Sequence, residues 1–115
     1  MVGVWSRTDG AKVEVKKTGE AVYLSVGGSG SFGFRGGDTH FTNLRLEGDS
    51  VIADVWLRGL GCASLGPKQT RSVIKIERTG NTFIETVPVY SAEGCQWSDE
   101  IESTEANTWT RVSNQ

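Results

Sequence analysis

Long apolar runs are missing from this 115-residue chain, and histidine, methionine and proline are scarce, at one, one and two residues. No stretch approaches the roughly 18 apolar residues that a membrane-spanning helix requires, so no membrane span is expected. Charge of one sign is also missing. Lys and Arg total 12 against 14 Asp and Glu, a net charge of −2, and the longest basic cluster is Lys16-Lys17. Backbone recognition of nucleic acid needs a concentrated basic face, which makes a nucleic-acid partner an unsuitable reading. Two cysteines and a single histidine without tight ligand spacing fall short of a closed zinc site, and no metal or cofactor is expected. Met1 leads almost directly into the first apolar segment, which suits a cytosolic protein or a mature chain whose leader has been removed.

What the chain does contain is 15 glycines, with Val, Thr, Phe and Trp in surplus, a composition for short strands and tight turns. Its length suits one core, and no repeat, linker or composition break divides residues 1–115. Period-two alternation recurs at short spacing. Val13 to Lys16 alternates, Thr18-Gly19-Glu20 turns the chain, and Val22, Leu24 and Val26 then share one face. Phe32-Gly33-Phe34 and His40 to Glu47 follow, and Glu47-Gly48-Asp49 turns into a strand whose core face is Val51, Ala53, Val55 and Leu57. Ser72 to Arg78 presents Ile74 and Ile76, Thr79-Gly80-Asn81 turns again, and Thr82 to Tyr90 is its partner. With Gly3 to Arg7 first and Thr108 to Val112 last, the expected architecture is all-β: one small antiparallel up-and-down barrel of about eight strands. A barrel of that size is either filled by side chains or wide enough for one small ligand.

Two longer loops are expected, Gly59 to Gln69 over one mouth and the acidic stretch Ser91 to Asn107, where Ser98 could cap a short helix. Each holds one cysteine. Cys62 and Cys95 therefore permit one disulfide, which would stabilise the fold by roughly 3 to 4 kcal/mol and favour an oxidising compartment. The alternative is two separate thiols.

Among motifs, Gly28-Ser29-Gly30-Ser31-Phe32-Gly33 matches a dinucleotide fingerprint by letter only, because no helix follows to receive a pyrophosphate. It reads as a hairpin or bulge. His40 is the only candidate for imidazole chemistry, with Asp38 as its nearest acid; the plainer reading is a rim histidine. Asp54 and Glu85 are strand acids that face either lumen or water. Aromatic residues occur on nearly every strand, as expected if each contributes to a shared interior, with some left to line a pocket. Trp56 falls opposite Val55 and Leu57 and is expected to be exposed, a contact surface through which a homodimer could form.

The Gly3-x-Trp5 opening and the terminal Arg111 resemble the lipocalin and wider calycin pattern. That resemblance implies a guanidinium stacked over the first-strand indole, so that Trp5 and Arg111 close one end of the barrel as structural residues. Phe34-Arg35-Gly36-Gly37-Asp38 through Asn43-Leu44, then Gly80-Asn81-Thr82 and Trp109-Thr110-Arg111, also look like small bacterial lipocalin-like domains. Avidin-like barrels share the Gly-x-Trp opening, but no set of biotin-binding polar residues stands at matching positions.

The expected function is a non-enzymatic binding module whose barrel holds a small, mostly apolar molecule, with Tyr23, Phe34, Leu44, Val55 and Ile74 as lining. A filled barrel acting as a protein-interaction or inhibitor domain is the alternative, and an enzyme using Asp38 and His40 at a barrel mouth is the third. Any site is expected at the mouth opposite Trp5 and Arg111.

Overall fold

The computed structural model describes residues 1–62 and 64–113. Eight antiparallel strands close into a barrel, each paired with its neighbours in chain order. They are β1 (Gly3–Ser6), β2 (Lys12–Val15), β3 (Ala21–Ser25), β4 (Thr39–Glu47), β5 (Ser50–Leu57), β6 (Lys68–Ile76), β7 (Thr82–Tyr90) and β8 (Ile101–Ser113). Closure depends on a short contact between the two ends of the chain. β1 meets β8 only at Val4–Ser113, Trp5–Arg111 and Ser6–Thr110. β8 then runs on along β7 as far as Tyr90.

The two ends of the barrel are built differently. At one end lie the termini and the tight turns after β2, β4 and β6. Here Arg111 stacks over Trp5, with its guanidinium carbon 4.3 Å from the ring centroid. It also donates to the carbonyls of Val2 (2.9 Å) and Gly80 (3.1 Å), while the Trp5 indole donates to Met1 O (2.9 Å). Gly3 enters β1 at φ 141°, buried, a backbone state that L side chains rarely adopt. At the other end lie the longer connections. The disulfide Cys62–Cys95 joins the β5–β6 and β7–β8 loops there, with Cα atoms 5.4 Å apart.

Between the ends, Trp5, Val13, Val15, Ala21, Phe41, Ala53, Phe83 and Trp109 form a closely packed core. Trp5 meets Phe83 edge-on at 4.7 Å, a favoured aromatic geometry.

Several local expectations change. On β3 the expected lining residue Tyr23 is buried together with Ala21, while Leu24 is exposed. Ile76 is also exposed, whereas Ile74 is buried. The segment Gly27–Phe32 is a 3₁₀ turn rather than a hairpin or bulge. Of the acidic stretch, residues 91–100 form a loop as expected, whereas from Ile101 on it belongs to the strand Ile101–Ser113, which pairs with β7 residue for residue from Thr82–Thr110 to Val89–Ser103. Ser98 Oγ accepts from Glu100 N as a tight turn, and the short 3₁₀ segment is Glu93–Cys95. Trp56 is half-buried, because it shares a depression with Phe34, Arg58 and Pro67 from the adjoining loops. Phe32 is the only exposed aromatic among the described residues.

Candidate functional site

A cavity of about 300 Å³ opens at the end opposite the Trp5–Arg111 seal. Much of its wall is apolar, formed by Phe34, Val55, Leu57, Val87, Val89 and Tyr90, and β8 adds Glu102, Glu105 and Asn107. The apolar residues come from β5, β7 and the β3–β4 connection, where alternation turns every second residue inward. Leu60, Ala92 and Trp97, from the two loops that the disulfide ties together, reach its rim. The Trp97 indole donates to Gly66 O at 2.7 Å and so links those loops a second time.

The floor is polar. Glu85 is fully buried on β7, and its Oε1 accepts from His40 Nε2 (2.8 Å), Trp109 Nε1 (2.9 Å) and Asn107 Nδ2 (3.4 Å). Its Oε2 shares the same His40 donor at 3.0 Å. From His40 Nδ1 the chain of bonds continues to Tyr23 Oη (2.8 Å), Ser29 Oγ (3.1 Å) and Arg7 Nη2 (3.0 Å). Arg7 is held by Asp9 through two contacts of 2.9 Å, and its guanidinium lies 4.9 Å from the Trp109 ring centroid.

A guanidinium only donates, so Ser29 Oγ accepts from Arg7 at one end of the chain, and the Glu85 carboxylate accepts from His40 Nε2 at the other. Burial pushes the Glu85 carboxyl up, but the His40 contact, the Trp109 bond and the Arg7 charge outweigh it and hold its pKa below the ordinary value. Burial pushes the Tyr23 phenol up, which keeps it protonated. The Arg7 hydrogen bond holds Asp9 down at about 2.

Local backbone geometry explains why Ser29 can join the chain. Gly27 sits at φ 52°, and a Cβ there would lie 2.5 Å from Ala11 N and 2.8 Å from Asp9 O. Glycine alone lets the 3₁₀ turn dock on the β1–β2 turn, where Asp9 accepts from Gly28 N at 2.9 Å.

Of the expected lining residues, Tyr23, Phe34 and Val55 face this cavity. Leu44 and Ile74 do not. A register shift between Thr42 and Arg45, with Asn43 at φ 55°, brings Leu44 to the β2–β3 turn, where its N–H reaches Gly19 O at 3.3 Å. Ile74 packs in the core. The expected Asp38–His40 pairing is also not formed. Asp38 accepts from Arg35 N (2.9 Å) and Arg58 (3.3 Å) and closes its own turn, while both imidazole nitrogens are taken up by Tyr23 and Glu85. His40 is therefore part of an internal network, not a rim residue. Asp54 faces outward and pairs with Arg45 at 3.1 Å. Among the described residues no group of three or more His, Cys, Asp or Glu side chains could hold a metal.

No family model, curated protein or solved structure matches this chain. The inward carboxylate of Glu85, the centre of the floor, stands in a strand of alternating apolar residues. Glu85 shares one face of β7 with Phe83 and Val87, both buried, and that alternation was the available signal that it faced the lumen.

Proposed function

We propose that this chain is a lipocalin-like binding barrel that holds one small, mostly apolar molecule in the cavity beneath the disulfide-linked loops. The observation that carries this reading is the cavity itself: largely apolar side walls, a polar floor and one open end. Specific small-molecule sites combine such walls with a few fixed polar groups, and about 300 Å³ lies at the lower end of their usual size. The floor network is suited to orienting a ligand rather than to chemistry. Its phenol is kept neutral and both nitrogens of its imidazole are engaged. The Cys62–Cys95 bond supports an oxidising, extracytoplasmic setting.

A neutral environment-sensitive dye, N-phenyl-1-naphthylamine, tests the reading. Saturable fluorescence enhancement at one site, lost in a Val87→Trp variant that fills the cavity while keeping the native unfolding midpoint, is expected. A dye response that is absent, or identical in V87W, would refute it.

A protein-contact role is favoured by one observation, the exposed Phe32 and Leu60 at the rim. It predicts a partner that binds V87W as well as the native protein.

A further inference from the structure

The charges around the cavity do not balance, and the imbalance bears on what the cavity takes; this inference rests on the cavity being a ligand site. Two arginines line it, and each is already matched. Arg7 is bound by Asp9, and Arg58 by Asp38 at 3.3 Å and by Gly33 O at 2.7 Å. Lys68 lies 4.6 Å over the Tyr90 ring and does not line the cavity. Glu102 and Glu105 also line it, from β8, and neither has an ion-pair or hydrogen-bond partner among the described residues. The register places Glu105 beside Val87 and Asn107 beside Glu85, so one wall carries carboxylates from floor to rim.

At the floor, the Ser29, Tyr23 and His40 side chains are engaged with one another, with Arg7 and with Glu85. Glu85 Oε2, on a side chain with no exposed surface, has only its share of the His40 N–H, although a carboxylate oxygen can accept more than one bond. An anionic ligand would meet two unpaired carboxylates and arginines that are already matched, whereas an ammonium would meet those carboxylates as acceptors.

We propose that the ligand is a small amphipathic amine, its ammonium group held by Glu105 and Glu102 at the rim and its apolar body lying against Phe34, Val55 and Val87.

Three probes with one eight-carbon tail test this by displacing N-phenyl-1-naphthylamine at pH 7 and low salt: octylamine, octan-1-ol and octanoate. Octylamine is expected to bind roughly tenfold tighter than octan-1-ol, and octanoate more weakly than either, with the preference reduced in 0.5 M NaCl. An E102Q/E105Q variant, both positions exposed, is expected to keep its unfolding midpoint and its octan-1-ol affinity while losing most of the tenfold gain for octylamine. If the gain for octylamine survives in E102Q/E105Q, the rim carboxylates do not hold the ammonium and the amine proposal fails. Equal binding of all three probes, or a preference for octanoate, overturns the amine and leaves the apolar-ligand reading intact. Failure of all three and of the dye overturns that reading as well.

Discussion

Replacing His40 with alanine removes the donor that both oxygens of the buried Glu85 share, at 2.8 and 3.0 Å. Trp109 and Asn107 still reach Oε1, but Oε2 is left without a donor. Breaking a buried pair from one side costs about 3 to 5 kcal/mol, because the remaining charge is desolvated and uncompensated. Glu85→Gln removes the charge and keeps the shape, at the cost of one misdirected bond to His40, about 1 to 3 kcal/mol. In the double variant the stranded carboxylate no longer exists. Its loss should therefore fall short of the sum of the single losses by at least about 1 kcal/mol, the range of coupling seen for residues in one network. Urea unfolding with the disulfide intact measures all four corners of the cycle. The pH profile supplies a second reading. Without the imidazole, burial pushes the Glu85 carboxyl above its unfolded value, so folded H40A retains a proton that the unfolded chain releases. Its stability must then fall as pH rises above about 4. H40A/E85Q lacks the titrating group and should lack that fall. Losses that add within about 0.5 kcal/mol, with parallel pH profiles for H40A and the double variant, would refute the network as a coupled unit.

In the native protein the sign is opposite. Glu85 and Asp9 are held below their unfolded values, so the stability they contribute is complete above the ordinary carboxylate range and is lost as pH falls through their folded values, about 2 for Asp9; acid unfolding followed by circular dichroism should show steepening loss below about pH 4, and a flat profile there would contradict it. Replacing both Cys62 and Cys95 with serine opens a link with a sequence separation of 33, for which the chain-entropy relation gives roughly 4 kcal/mol. That loss should appear in urea unfolding and be matched by reduction of the native protein. Arg111→Ala removes the stacking on Trp5 and two bonds to carbonyls. It should cost about 2 kcal/mol while leaving dye affinity in the folded protein unchanged, since the cavity lies at the opposite end.

Strand identity and order were readable because alternation with turn residues is a local signal. Val13 to Lys16, Val51 to Leu57 and Thr82 to Tyr90 each carry it, and each is a strand. The paired ends were readable too, since a Gly-x-Trp opening and a late arginine mark a closed barrel. Alternation alone leaves open how each face is covered, and Trp56 shows it: it falls opposite Val55 and Leu57 yet is half-buried, sharing a depression with Phe34 and Pro67. β8 shows the same limit from another side. Its Glu102 and Glu105 have the composition of a solvated loop, and only pairing with β7 makes that stretch a strand with carboxylates on the cavity wall.

The floor of the cavity depends most fully on three-dimensional placement. Arg7, Tyr23, Ser29, His40 and Glu85 are spread over 79 positions of chain and form one line of hydrogen bonds because barrel closure stacks β1, β3, β4 and β7 around a common interior. Local sequence settles that strands form and where they turn, since backbone preference and side-chain alternation act over a few residues. The choice of partner for His40, Glu85 rather than the adjacent Asp38, belongs to the closed barrel. A buried carboxylate must be met by whichever donors the interior brings within reach, and nearness along the chain has no part in that.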